Sequence, residues 1–285
     1  MSIDLHTHTT FSDGTYTPTE LVNYAQEKGL TAIAITDHDT TEGVAEAIAA
    51  PKAKPLEVIG GIEISSMFKE KEIHIVGLFI DINNKTLKNE MELLRESREQ
   101  RNHLMTEKIT ECGMPLTYQE VLDFAKGSVI TRAHFAGILL KKGYVASVNE
   151  AFARFLGDNC PCFVKRNLPT AQKSIEMIKQ NGGIAVLAHP LLYKMGNDRL
   201  DYMVKELAKT GITAIEAYYS THSPSDAKHI CTLADKYSLF LSGGSDFHGS
   251  NKKGLDLGQG YGSLNVPDEI LDKLKGAKDN GKRLY

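Results

Sequence analysis

The chain contains no tryptophan, has only four cysteines, and shows no excess of one charge: 33 Lys and Arg stand against 36 Asp and Glu, a formal net charge of -3. That balance excludes nucleic-acid binding by bulk charge, while leaving room for a local basic pocket. No run approaches the roughly 18 apolar residues of a membrane-spanning helix, and the opening "MSIDLHTH" is no signal peptide. Both absences favour a cytoplasmic protein with no membrane partner. Cys112, Cys160, Cys162 and Cys231 are scattered, and the "CPC" at 160–162 is too tight for a zinc pair and lacks a second pair. They read as free thiols in a reducing compartment. No glycine-rich dinucleotide fingerprint, P-loop or G-x-S-x-G nucleophile turn is present. Repeats, low-complexity segments and an attached domain are also missing, and no obligate protein partner is evident.

What is present is alternation. Short apolar runs, "SIDLH", "LTAIAITDHD", "LEVIGGIEIS", "EIHIVGLFID", "IAVLAHP", "ITAIEAYYS" and "LFLSGGSDFHG", mostly follow or precede a helical pattern such as "TPTELVNYAQEKG" or "RLDYMVKELAKTG". The pattern is that of a parallel sheet covered by helices, and its count and length suit a barrel better than an open sheet. One stretch breaks the rhythm. From about 97 to 166 the sequence is almost entirely helical in pattern, with no convincing strand, punctuated at Gly113, Pro115, Gly127, Gly143, Gly157 and Pro161. We read residues 1–96 and 167–285 as an α/β barrel and 97–166 as an inserted helical subdomain capping its active site.

The ten histidines carry the chemistry. His6 and His8 lie two apart in an extended segment and therefore share a face. Asp246 and His248 repeat that spacing after the last apolar run. His38 in "ITDHD", Glu63 in "GIEIS", His74 in "EIHIV" and His189 in "AHP" also lie in or just after expected strands, with Asp13 in the first loop. In a parallel barrel the C-terminal strand ends form the rim on which active sites are built. His74, mid-strand, has the least determined register. A lone histidine in an apolar run is ordinarily a hydrogen-bonded core residue. Nine imidazoles and carboxylates at recurring positions are too many to bury without cations. Such groups are ligands of Zn, Mn or Fe, and nine exceed the needs of one ion, so two or three divalent ions are expected, with Glu63 able to bridge two. His103 and His229 fit solvated helix surfaces.

At these residues the chain resembles the polymerase and histidinol phosphatase (PHP) superfamily of metal-dependent phosphoesterases, through "DLHTHTTFSDG", "ITDHD", "AHP" and "GSDFHG", with "GIEIS" and "EIHIVGL" between them. The resemblance implies a distorted seven-stranded (β/α) barrel with a trinuclear centre. It assigns His6, His8, Glu63 and Asp246 to a first metal, Glu63, His74 and His189 to a second, and Asp13, His38 and His248 to a third. The helical segment is similar to the branch that includes 3′,5′-nucleotide bisphosphate phosphatases and a 5′→3′ exoribonuclease. That branch offers an arginine and a histidine to substrate from a "GRPH"-like segment. Here it reads "TRAH", retaining Arg132 and His134 without the proline.

Two metals that share a bridging hydroxide supply a nucleophile at neutral pH, and a third neutralises phosphate charge. A phosphate ester uses such concentrated charge more fully than an amide, which leaves amidohydrolase chemistry as a minor alternative. Glu63 and Asp246 are thus catalytic candidates. Arg132, with Lys165 or Arg166, would clamp a second phosphate, since arginine binds phosphate bidentately. His222, after the "ITAIEAYYS" run, suits a substrate contact or leaving-group acid. The expected substrate is a nucleoside 3′,5′-bisphosphate. A short RNA or DNA taken from its 5′ end, histidinol phosphate, and a non-enzymatic metal-binding module follow in that order.

Overall fold

The computed structural model describes residues 2–51, 53–125 and 129–280; Gly127, one of the expected breaks, lies outside them. All seven apolar runs form strands: β1 (Ile3–Thr7), β2 (Ala32–Ile35), β3 (Glu57–Phe68), β4 (Lys71–Leu78), β5 (Ile184–Leu187), β6 (Ala214–Tyr219) and β7 (Phe240–Gly244). They hydrogen-bond in sequence order to give a nearly closed barrel. Its seam, between β1 and β7, is held by a parallel bridge of Thr7 to Phe247 and by backbone bonds from His8 N to Phe247 O (2.9 Å) and Asp246 N to His6 O (2.8 Å).

The helices are α1 (Pro18–Glu27), α2 (Val44–Ala49), α3 (Lys85–Glu111), α4 (Tyr118–Ala125), α5 (Arg132–Lys141) and α6 (Val148–Ala151). They continue with α7 (Ala171–Gln180), α8 (Asn197–Thr210), α9 (Pro224–Lys236) and α10 (Glu269–Asn280). Local chemistry sets their ends. Thr17 and Glu20 form a reciprocal capping box before α1, with Pro18 in the first turn. Gly211, at φ 94°, takes the left-handed position that stops α8. Among the described residues no helix is long and apolar enough to cross a membrane.

Strands buried on both faces explain the near-continuous apolar runs. In β2, Ala32 and Ala34 join one core cluster with Ile3, Leu5, Val76 and Val186, while Ile33 and Ile35 join a second with Leu21, Val22 and Ala25 of α1. Two strands carry a register irregularity: β1 between Asp4 and Thr7, and β6 between Glu216 and Tyr218. Such bulges re-aim side chains, and both lie beside buried acids of the site described below.

The parallel sheet expected from the alternation fails at one strand. β4 runs antiparallel to both β3 and β5. The reason is the connection: β3 and β4 extend into "SMFKEKE", leaving only Lys69 and Glu70 between them. A parallel crossover needs a dozen or more residues, whereas two suffice for a hairpin. Lys69 takes φ 54° in that turn.

Two compact units result, one formed by residues 1–88 with 168–285 and the other by 89–167. The second has its own core, with Met105, Ile109, Val121, Phe135, Leu139 and Leu156 all buried, and no strand among its described residues.

Candidate metal centre

All nine expected ligands converge within the barrel unit. His6 belongs to β1 and His8 follows it directly; His38 follows β2, His189 follows β5, and Asp246 and His248 follow β7. Glu63 sits in β3. His74 pairs with Ser65 near the start of β4, and because β4 is reversed, its start lies where the parallel strands end. The reversal therefore brings a mid-sequence histidine to the rim.

Glu63 is fully buried at the middle of the cluster. Its Oε1 lies 2.9 Å from His74 Nδ1 and 2.9 Å from His189 Nε2. Its Oε2 faces His38 Nδ1 at 3.0 Å and both His6 Nε2 and His8 Nε2 at 3.3 Å. Asp246 Oδ1 stands 3.2 Å from His8 Nε2 and 3.3 Å from His248 Nδ1. Asp13 Oδ1 approaches His248 Nε2 at 3.1 Å. The His6 and His8 rings are 5.3 Å apart, as a shared face requires. Four sets could each hold an ion: His8, Asp13, His38 and His248; His6, Glu63 and His189; His6, His8 and Asp246; His38, Glu63 and His74.

The chemistry of this donor set fits divalent cations. His6 Nε2, His8 Nε2, His38 Nδ1, Asp13 Oδ1 and Glu63 Oε2 are buried and make no hydrogen bond, although they point at one another. Buried lone pairs left unmatched are costly, and a cation among them removes that cost. Charge points the same way. Burial alone would raise the carboxyl pKa of Glu63, Asp13 and Asp246. The surrounding imidazoles, with Lys252 beside Asp246, hold all three well below the carboxylate range. Burial alone would also depress the imidazoles, and His38 and His189 do fall; facing carboxylates instead lift His8 to about 9 and His74 to about 10. The anionic centre draws positive charge from whatever group is nearest.

Several supporting residues were missed in the sequence. Glu216, buried in β6, lies 3.1 Å from His6 Nδ1 and accepts the His189 backbone N–H at 2.6 Å. Asp37 accepts from the Thr9 hydroxyl (2.7 Å) and the Ser12 hydroxyl (2.5 Å), and Ser12 Oγ lies 3.3 Å from His8 Nδ1. Tyr219 donates to Asp246 Oδ2 (2.7 Å), where Lys252 also pairs. Tyr193 donates to Ala188 O (2.9 Å), and its oxygen accepts the His74 N–H at 2.8 Å. Such outer contacts fix ring orientation and tautomer. One signal was available: Glu216 stands in "AIEAYY" as Glu63 stands in "GIEIS", a lone acid inside an apolar strand. Asp4, pushed up to about 6 by burial, accepts backbone N–H groups from Ser245 and Gly258 (2.8 Å each) and so ties β1 to the segment after β7.

His222 lies past β6 with its ring 5.4 Å from that of Tyr219, which is itself 5.7 Å from His189. Its Nδ1 donates to Ala217 O at 2.9 Å, leaving Nε2 buried without a hydrogen bond. In the helical unit, Arg132 pairs with Asp158 at 3.0 Å and lies over the Phe163 ring. His134 Nδ1 accepts the Thr131 N–H at 3.0 Å, closing the capping box of α5. The cysteines are free thiols, with Cys112 Sγ 3.4 Å from Cys162 Sγ.

The fold and the nine-residue centre define a phosphoesterase class, and comparison with known proteins agrees. Residues 4–179 match the PHP domain model. The chain is 36% identical over 247 residues to the 5′-3′ exoribonuclease Rnm of Escherichia coli, covering 86% of this chain and 84% of that one. It is 32% identical over 258 residues to the 3′,5′-nucleoside bisphosphate phosphatase of Chromobacterium violaceum, covering 90% of each. Among solved structures, an amidohydrolase from Chromobacterium violaceum with bound sulfate superposes with a TM-score of 0.84 at 30% identity, over 97% of this chain and 96% of that one. A Bifidobacterium adolescentis protein described as a metal-dependent phosphoesterase gives 0.80 at 29% identity, covering 95% and 94%. The chain belongs to the PHP-domain family and is a metal-dependent hydrolase of phosphate ester bonds.

Proposed function

We propose that the protein hydrolyses the 3′-phosphate of a nucleoside 3′,5′-bisphosphate. The observation that carries this is Glu63, buried and offering each carboxylate oxygen to a different group of imidazoles, which suits it to bridge two of two or three ions. Bound divalent ions would lower the pKa of water and neutralise the charge of a reacting phosphate. The nine ligands His6, His8, Asp13, His38, Glu63, His74, His189, Asp246 and His248 would hold them. Water attacks phosphorus, the P–O3′ bond breaks, and the departing O3′ takes a proton. His222, as the imidazolium, is the proposed donor of that proton: the Ala217 carbonyl holds its Nδ1–H, and Nε2 would carry the proton that passes to the leaving oxygen and be left as a neutral imidazole nitrogen. Arg132, His134 and Lys165 are proposed to grip the 5′-phosphate, with the guanidinium giving bidentate contact.

The same bond breaks when the first residue of a 5′-phosphorylated RNA is removed. The scissile phosphate then carries the rest of the chain instead of leaving as inorganic phosphate. The exoribonuclease relatives favour this second reading, and one centre serves both. Mn²⁺-supplemented protein tests the proposal against adenosine 3′,5′-bisphosphate, histidinol phosphate and a 5′-phosphorylated oligonucleotide. Turnover, read as inorganic phosphate from the two monoesters and as nucleoside 5′-monophosphate from the oligonucleotide, should have its highest kcat/KM with the bisphosphate; preference for histidinol phosphate would overturn the proposal, and preference for the oligonucleotide would favour the second reading.

A further inference from the structure

Three of the four cysteines, Cys112, Cys160 and Cys162, belong to the helical unit, and the metal centre uses none of them. Two of the three face each other. Cys112 follows the last residue of α3 and is exposed, whereas Cys162 is fully buried in the core of the unit. Their sulfurs lie 3.4 Å apart, although the residues are 50 positions apart in the chain. A disulfide brings two sulfurs to about 2.05 Å, so closure needs a movement of roughly 1.4 Å. Cys112 stands where such a movement is available: the chain leaves α3 there and turns at Gly113, which takes φ 81°.

The surroundings sort the three thiols. Burial, with the adjoining Cys112 thiol, pushes Cys162 up to about 12, so it rests protonated. Its S–H can donate to Cys112 Sγ or, at 3.6 Å, to the Lys108 carbonyl oxygen. Cys112 is the sulfur of the pair that solvent reaches, and reaction with an oxidant begins there. Cys160 is half-buried, and its S–H is directed to the carbonyl oxygens of Ala153 (3.4 Å) and Phe152 (3.7 Å). The segment around Cys162 also supports Arg132. Asp158 pairs with that guanidinium, which lies over the Phe163 ring, and Lys108 Nζ donates to Phe163 O at 3.2 Å.

We infer that Cys112 and Cys162 form a thiol-oxidation site that closes to a reversible disulfide and fastens the helical unit. The oxidant is a small disulfide of the glutathione kind. The Cys112 thiolate attacks one of its sulfurs, forming a mixed disulfide and releasing one small thiol. Cys162 then attacks the Cys112 sulfur, and its proton leaves with the second small thiol. Two protein thiols lose two electrons and two protons, and the oxidant gains both. The new bond ties the end of α3 to the segment before Phe163 and encloses α4, α5 and α6 in one loop, which restricts the opened chain. A reducing thiol pool keeps the pair open and an oxidising one closes it. The inference goes beyond the proposed function and holds whichever phosphate ester is cleaved.

The test equilibrates the full chain in graded mixtures of reduced and oxidised glutathione, quenches with acid, alkylates the remaining thiols and maps the bonds by mass spectrometry. Wild type and Cys160→Ser should each give one intramolecular bond between Cys112 and Cys162, reversed by dithiothreitol. Cys112→Ser and Cys162→Ala should give none; because Cys112 is exposed, its serine variant leaves the core intact. Amide hydrogen exchange in α4 and α5 should slow at least about ten-fold in the oxidised wild type, while β1 and β7 stay unchanged. Cys112→Ser should show no such response to oxidation. Failure of the wild type to form the bond in the most oxidising mixture would overturn the inference, leaving the two sulfurs as packing groups only. A principal bond involving Cys160 would overturn it as well. Equal exchange in the reduced and oxidised forms would overturn the fastening.

Discussion

The barrel unit and the helical unit bury different things. Inside the barrel unit lie Asp4, His6, His8, Asp37, Glu63, His189, Glu216, Asp246 and His248, each less than a tenth exposed. The helical unit buries aliphatic and aromatic groups around Phe135, and its buried polar side chains, Arg98, Arg101, Asn102 and Thr106, all sit on α3. Hydrophobic burial stabilises a fold without reference to ligands. A buried ring of carboxylates and imidazoles does not, and is tolerable where something else compensates it. The contrast separates the part of the chain shaped by chemistry from the part shaped by packing.

The comparison breaks hardest at Glu63. Loss of an outer contact to a metal ligand typically costs 10- to 100-fold, so Glu63→Gln, which removes a bridging charge, should lower kcat by at least about a hundred-fold. Elemental analysis of unchelated wild type should find more than one equivalent of transition metal, and the variant should hold less. A wild-type rate, or full activity with a single equivalent, would contradict the bridging role. Next in size is Phe135→Ala. Emptying that site should cost about 3–5 kcal/mol in denaturant unfolding. Hydrogen exchange should rise in α4 and α5 while β1, β3 and β7 stay protected; uniform exchange would mean that the two units unfold as one.

Arg132→Ala comes third. If the guanidinium grips the 5′-phosphate, kcat/KM should fall about ten- to a hundred-fold more for the bisphosphate than for a simple monophosphate ester, since a charged hydrogen bond contributes about 1.5–3 kcal/mol. Lysine should restore only part of the loss. Equal losses on both substrates would move Arg132 to a supporting role. The smallest effect is expected at Glu120. Lys142, with the Thr117 N–H and hydroxyl, holds this exposed carboxylate down to about 2. A depressed pKa stabilises the fold above the unfolded value of 4.5, and the contribution fades as pH falls toward 2. Glu120→Gln should therefore melt slightly below wild type at pH 7, with the gap closing on acidification. A constant gap would point to lost packing instead of lost charge.

All seven strands were legible because each is a run of apolar residues bounded by turns or helical patterns. The direction of β4 was not, since periodicity records which faces are buried and carries no sign for chain direction. Only the length of the Lys69–Glu70 connection holds that information. The nine residues expected as ligands could be picked out because six are histidines, costly to bury without a purpose, and most recur at strand ends; the structure gathers them in one cluster. Glu216, Tyr193, Tyr219 and Lys252 escaped because each is a single residue whose role depends on a partner distant in sequence. The edge read at residue 97 falls inside α3, which begins at Lys85 and runs on past residue 89 without a glycine or proline to mark the change of unit.

The seam between β1 and β7 has a consequence for synthesis. Every other strand pairs with its neighbour in the chain, whereas the seam joins residues 3–8 to residues 240–248. Contacts of such long range are costly to form before the rest of a fold is in place. His6, His8 and Asp13 emerge from a ribosome first, and Asp246 and His248 arrive when nearly all of the barrel has been made. A translation product halted before β7 can therefore build most of the sheet but cannot complete the charged cluster. The proposed metal centre is closed only when the two ends of the barrel meet.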